Sequence, residues 1–361
     1  MSASIRIPSL DGLRCLAIAL VIASHAFFDA GFPSIIPGNL GVTIFFFLSG
    51  YLIGTLLRLE YQANGSISLR KFYARRALRI FPPMYIALAL AVLWGLYRMS
   101  VFNSPPMDWW LVLGQALHVT NYPIAWHGFD VRLAPGTDIF WSLAVEEHFY
   151  LLYPMVFLLV FRLGSARQQA IVLLGICAAI LAWRCVLIFG MDARWERTYV
   201  ATDTRADSIL FGCVLSLWGN PALDSTSISE RRWKWLWFPL GVGALAATVL
   251  VQLADAEWFL HTFRYSVQGL ALFPIFVVAV RYPDWGPMRL LNLQVVQWIG
   301  TLSYALYLVH RVCFELVWLV FRPPVPVYVL SAVALAFVIA IAIHRLVELP
   351  AARVRKRLSS L

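Results

Sequence analysis

Apolar runs of about 17 to 25 residues, each long enough to cross a hydrocarbon layer of roughly 30 Å as a helix, recur along this whole chain. In hydrocarbon, every backbone N–H and C=O must find its partner inside the protein, so only helices or a closed barrel can span it. The runs are unbroken instead of alternating every second residue, which excludes a β-barrel. Composition points the same way: 61% of the 361 residues are hydrophobic and 13% are charged, against about 25% charged in a soluble domain. The expected fold is all-α, a polytopic transmembrane bundle of ten or eleven helices forming one domain over residues 1–361. Spans are expected near 12–28, 40–57, 80–97, 109–122, 140–161, 170–189, 208–218, 236–253, 265–280, 295–320 and 327–346, of which the fourth and seventh are short.

The formal net charge of +10 does not call for nucleic acid, because the basic residues sit at the edges of the apolar runs, where they set orientation. The densest basic cluster, Arg58, Arg70, Lys71, Arg75, Arg76 and Arg79, lies between the second and third spans. The positive-inside rule assigns it, and with it the N-terminus, to the cytoplasmic side of the inner (plasma) membrane. The terminal run Arg353, Arg355, Lys356 and Arg357 also argues for that side and so for an even number of spans. Lys71, Lys234 and Lys356 are the lysines among 29 Lys plus Arg, leaving 26 arginines. Such a bias favours planar recognition of phosphate or carboxylate. Cys15, Cys177, Cys185, Cys213 and Cys313 lie in apolar stretches without a metal-ligating spacing, so no metal is expected. The first apolar run resembles a signal peptide, but Asp11 and Arg14 interrupt its start, and it is expected to remain as the first span.

Polar groups placed inside membrane spans are costly and mark sites or pairs. In SLDGLRCLAIALVIASHAFF, Asp11 and Arg14 open the first helix and His25 follows Arg14 by eleven residues. At about 100° per residue that spacing returns to within roughly 20° of the same face, roughly 16 Å further along. Arg14 and His25 therefore share one stripe at two depths. In FYARRALRIFPP, Arg76 and Arg79 are three apart and share a face at the mouth of the third span, where the pair suits phosphates. WSLAVEEHFYLLYP carries Glu146, Glu147 and His148; adjacent helical carboxylates point about 100° apart, so only one of them faces a given pocket. In GTLSYALYLVHR, Ser303, Tyr307 and His310 form one stripe with Tyr304 beside it, a pattern that interhelical hydrogen bonding alone also explains. The alternative role for Arg14 is snorkelling to the interface, for His25 a hydrogen bond to a neighbouring helix, and for Arg76 and Arg79 simple anchoring.

GxSxG, HExxH and Walker motifs are absent from the sequence, which removes a serine hydrolase elbow, a zinc protease and a P-loop transporter. What remains is His, Glu and Arg, a set suited to acid/base work on a hydroxyl with cations stabilising an anionic donor or intermediate. Trp109, Trp110, Trp126 and Trp141 near the loops suit sugar stacking, although interfacial anchoring serves equally.

At these residues the chain resembles the membrane acyltransferase-3 family, which O-acylates sugars and other extracytoplasmic acceptors. The resemblance rests on SLDGLR with the Arg14-x10-His25 spacing, the RxxR of Arg76 and Arg79, WSLAVEEHFY, GTLSYALYLVH, and VELP around Glu348, in order along nearly the whole chain. It implies acyl-CoA, usually acetyl-CoA, as a cytoplasmic co-substrate, a carbohydrate or glycolipid acceptor, and no metal. It also implies that His25 and Arg14 are essential, that Glu146 aligns with the family's glutamate after WSL, and that Arg76 and Arg79 lie near the donor. Asp11, Ser303, Tyr304 and His310 are further candidates. Cys15 stands where many relatives carry Gly, and the soluble hydrolase-like domain that some relatives carry is not seen here. The mechanism expected is general-base catalysis by His25, oriented by Glu146 or another carboxylate, with an acyl-His relay as a variant. The rival class is a transporter or flippase of a lipid-linked anionic sugar, with the arginines on phosphate and His25 relaying protons.

Overall fold

Hydrocarbon demands that backbone hydrogen bonds close within the segment, and the structure, a computed structural model describing residues 7–29, 31, 35–162 and 164–360, meets this with helices; no strand occurs among the described residues. In chain order these are α1 (Pro8–Asp29), α2 (Gly38–Asn64), α3 (Leu69–Phe102), α4 (Trp109–Ala116), α5 (Asn121–His127), α6 (Trp141–Phe161), α7 (Ala166–Cys185), α8 (Trp195–Val200) and α9 (Thr202–Leu217). They continue as α10 (Glu230–Arg232), α11 (Phe238–Leu253), α12 (Glu257–His261), α13 (Arg264–Arg281), α14 (Met288–Leu291), α15 (Gln294–Phe321), α16 (Val325–Ile343) and α17 (Leu349–Ser360). The side chain of Lys356, part of the basic C-terminal run, lies outside the described residues.

Eight helical stretches among the described residues are long and apolar enough to cross a membrane, so the expected ten or eleven are not confirmed. They are α1, α2, α3, Asp138–Phe161, Ala166–Gly190, Glu230–Leu253, α15 and Val325–Arg355. The expected spans 208–218 and 265–280 lie in α9 and α13, of 16 and 18 residues; α9 carries Arg205 and Asp207 inside it, and α13 has an arginine at each end.

The segment 109–122 is not one helix. It divides into α4 and α5, of eight and seven residues, each only about 10–12 Å long at 1.5 Å per residue. Between them His118 takes a positive φ of 57°. The Asp108 N–H donates to the carbonyl of Arg132 at 2.9 Å, so the chain leaves and returns at one level and forms a re-entrant hairpin. Its tip packs on the middle of α3: Tyr85 Oη donates to the Ala116 carbonyl at 3.1 Å, and the His118 ring stacks on Phe81.

Two close helix crossings set the rest. On α2 and α9, a Cβ on Gly50 would lie 1.9 Å from the Ile209 carbonyl oxygen, and one on Gly212 would lie 2.0 Å from that of Phe47. Small residues of this kind let membrane helices touch along their backbones. On α1 and α15, a Cβ on Gly300 would lie 1.9 Å from the Asp11 carbonyl oxygen. Farther along the same two helices, His25 meets His310 and Asp29 meets Arg311, so α1 and α15 run side by side in one direction. A sealed ion pair joins α7 to α9, with Arg184 Nη2 and Asp207 Oδ2 2.7 Å apart and both side chains fully buried. Ser266 of α13 donates to the same carboxylate at 3.0 Å.

Gly212→Ala is expected to destabilise the bundle by about 1–3 kcal/mol through overpacking. Gly243→Ala, where an added Cβ meets nothing within 4 Å, stays within about 0.5 kcal/mol of the parent. Thermal unfolding of the two variants in detergent micelles measures the difference.

Candidate active site

The stripe read on the first helix does face its neighbours, but its two members meet different partners. Arg14 lines a cavity whose other walls come from α2, α3, α6 and α15, with about 760 Å³ of empty space including its open mouth. Arg76, Arg79, Glu146, Ser303 and Tyr304 line the same cavity, so six of the nine residues singled out in the sequence converge there. Pro82 and Pro83 lie inside α3 just past Arg79. Lacking N–H groups, they cannot donate to the carbonyls four residues back. The next carbonyl, that of Ile80, accepts from Tyr304 Oη at 3.0 Å, tying α3 to α15 at the cavity wall.

Each polar wall group is held. Arg14 is ion-paired with Asp11 one turn earlier. Glu146 Oε1 accepts from Ser49 Oγ at 2.7 Å. The Arg76 guanidinium lies 5.2 Å from the centre of the Tyr150 ring, within cation–π range. Tyr307 Oη and Ser142 Oγ are 2.6 Å apart, and both reach the Ile139 carbonyl at 3.1 Å. The adjacency argument for the carboxylates holds: Glu146 lines the cavity, while Glu147 does not and has a buried Oε1 without a partner.

A second, adjoining cavity shares Arg14, Arg79, Ser303 and Tyr304 with the first and adds Asp11, His344, Glu348 and Arg355. His344 Nδ1 and Glu348 Oε2 are 2.5 Å apart there. Three guanidinium groups, from Arg14, Arg79 and Arg355, thus border a single opening. The resulting field favours an anion.

His25 and His310 line neither cavity. They form a pair of their own, Nδ1 of His25 lying 2.9 Å from Nε2 of His310 with the ring centres 5.1 Å apart and the ring planes 23° from parallel, so that the rings meet edge to edge. The pair is one helical turn beyond Tyr307 on α15, and the Tyr307 and His310 ring centres are 5.9 Å apart. Where Glu146 or another carboxylate is expected from the sequence to orient His25, His25 instead bonds to His310, and α6 turns the Glu146 carboxylate toward Ser49 on α2. Interhelical bonding describes Tyr304, Tyr307 and His310 as read; Ser303 stands at the junction of both cavities. Sequence reasoning passed over Ser49, Ser142, Tyr150 and His344, although a serine inside an apolar run is the same signal that singled out Ser303. Trp141 is buried against Phe46 and Tyr199 and is not available for stacking on a sugar, whereas Trp109, Trp110 and Trp126 are exposed. No group of three or more His, Cys, Asp or Glu able to hold a metal occurs among the described residues.

The model of an acyltransferase domain matches residues 7–345, nearly the whole chain. The chain belongs to the acyltransferase-3 family. It is 31% identical over 358 residues to the peptidoglycan O-acetyltransferase OatA of Listeria monocytogenes, covering 95% of this chain and 55% of that protein. It is 28% identical over 355 residues to the O-acetyltransferase OatA of Staphylococcus aureus, covering 95% and 57%. The chain thus spans about half the length of the curated relatives it matches. No solved structure matches it.

Asp11→Asn is expected to leave the Arg14 guanidinium without its carboxylate and to cost about 2 kcal/mol, less than for a fully sealed pair because both side chains keep some exposure. Adding Arg14→Met to that variant should restore most of the loss. Unfolding midpoints of the single and double variants check this, and an equal or larger loss in the double would show that the pair does not act as a unit.

Proposed function

We propose that this chain transfers an acyl group, acetyl first among them, from acyl-CoA to a hydroxyl of a carbohydrate acceptor at the inner membrane. One observation carries the reading: a single cavity gathers Arg14, Arg76 and Arg79 with Glu146, and ends one helical turn from a histidine pair. The arginines suit the phosphates of a nucleotide-bearing donor, and the apolar walls from Phe45, Leu48 and Leu52 suit the arm that carries its thioester. The basic end faces the cytoplasm in this reading, together with the N-terminus. Relatives named as O-acetyltransferases, one of them of peptidoglycan, support acetyl and a glycan.

In the proposed step, His25 accepts the proton of the acceptor hydroxyl as that oxygen bonds to the thioester carbonyl carbon. The C–S bond then breaks, and the proton passes from His25 to the departing thiolate. Arg14 stabilises the anionic donor, and the exposed Trp109, Trp110 and Trp126 offer stacking surfaces for sugar rings on the hairpin side.

The test uses the full chain in lipid nanodiscs with radiolabelled acetyl-CoA and soluble glycan fragments. Thiol release that depends on the protein, with label on the glycan, is the expected result; translocation of unmodified lipid-linked sugar without thiol release would favour the flippase. His25→Ala is expected to lower turnover by about 10²–10⁴-fold, the usual contribution of a general base. Replacing Arg76 and Arg79 together by Ala should raise KM for acetyl-CoA by about tenfold or more, since each charge-assisted hydrogen bond contributes roughly 1.5–3 kcal/mol. Steady-state kinetics on the two variants separates these effects.

A further inference from the structure

We infer that His310 is a positioning residue that fixes the tautomer of His25 and leaves His25 Nε2 as the free basic nitrogen. The inference rests on the proposed general-base role of His25, but its central observable is independent of activity.

The argument follows from which atoms can donate. His310 is fully buried, and its Nδ1 lies 2.9 Å from the Tyr307 carbonyl oxygen and 3.1 Å from that of Leu306. A carbonyl oxygen only accepts, so His310 Nδ1 carries hydrogen. Among the described residues, neither imidazole is hydrogen-bonded to a carboxylate. A buried cation without such a partner is strongly disfavoured among membrane helices. His310 is therefore neutral, and a neutral imidazole protonated at Nδ1 offers only a lone pair at Nε2. That lone pair faces His25 Nδ1 at 2.9 Å, so His25 donates its own Nδ1–H and holds Nε2 unprotonated. The carbonyls of Tyr307 and Leu306 lie in the middle of α15, Gln294–Phe321, and act as the fixed reference for both rings.

Accessibility completes the case. His25 Nε2 has no hydrogen-bond partner, yet it is not among the sealed, partnerless polar atoms, and His25 is only half-buried. His25 thus keeps part of its surface exposed, whereas His310 is fully buried. A histidine pair replaces the carboxylate that usually orients a catalytic imidazole, and it adds no net charge within the membrane. The ring planes are 23° from parallel and meet edge to edge, so the His25 Nδ1–H points close to the plane of the His310 lone pair.

The decisive measurement is ¹⁵N NMR of the histidine-labelled full chain in lipid at neutral pH, with the His25 signals assigned among the seven histidines by their loss in His25→Ala. The expected spectrum shows His25 protonated at Nδ1 and bare at Nε2, and His310 protonated at Nδ1. His25 protonated at Nε2 in the parent protein would overturn the inference even if His25→Ala abolishes turnover. Kinetics gives the second readout. His310→Phe, which keeps the ring and removes both nitrogens, is expected to lower kcat by about 10²-fold through loss of the tautomer, by analogy with orienting groups elsewhere, while KM for acetyl-CoA stays within about threefold. His310→Gln, whose side-chain oxygen reaches the position of Nε2 and accepts from His25, should recover at least about tenfold of that loss. If Gln recovers nothing while the His310→Phe spectrum retains the parental His25 tautomer, His310 acts only in packing.

Discussion

The crossing of α1 and α15 governs what this bundle can do. Asp11 and Gly300 bring the two backbones so close that no side chain fits between them, and both helices then run on in the same direction. From that contact, Arg14 arrives beside Ser303 and Tyr304, His25 beside His310, and Asp29 beside Arg311. Asp11 and Arg14 pair with each other, and His25 and Asp29 are met by His310 and Arg311 of α15, which is how a span containing an aspartate, an arginine and a histidine remains tolerable among lipids. The same crossing places Arg14 and His25 on one face of α1, roughly 16 Å apart by the rise of the helix.

Much of this was legible in the sequence, and the reason is periodicity. The eleven-residue spacing of Arg14 and His25 returns to one face, the three-residue spacing of Arg76 and Arg79 shares a face, and Ser303, Tyr307 and His310 share another. Helical geometry converts each spacing into a stripe without knowledge of the neighbours. What spacing cannot supply is the partner across the gap. Nothing local to α6 says that Glu146 bonds to Ser49, which lies 97 residues earlier, or that the partner of His25 lies 285 residues later. The carboxylate expected beside His25 was the commonest chemical choice, and the fold supplied an imidazole instead.

The count of spans is not confirmed for a related reason. Apolar composition at 109–122 is high enough for a span, but the hairpin is set by polar contacts: the Gln115 amide bonds to Thr137 and accepts from the Ala134 N–H. Hydropathy reads the transfer of side chains to lipid; it does not see a polar side chain such as Gln115 that bonds to a distant loop and breaks the helix. The same holds at Arg205, fully buried with its guanidinium 3.7 Å from the centre of the Tyr265 ring and near Phe46 and Trp141. A charge that counts against α9 as a span is held by aromatic faces of α13, α2 and α6.

The central claim is that the donor binds in the cavity with its phosphates at the cationic mouth and its acyl end directed toward the histidine pair one helical turn beyond Tyr307. A cryo-EM structure of the full chain in nanodiscs with a non-cleavable thioether analogue of acetyl-CoA tests it most directly. The account predicts phosphate density against Arg14, Arg76 and Arg79, with the arm running past Glu146 and the acyl carbon beyond Tyr307, beside His25 Nε2. Density for the nucleotide at the Asp29 and Arg311 end, or an acyl carbon held away from His25 by packed apolar side chains, would contradict it.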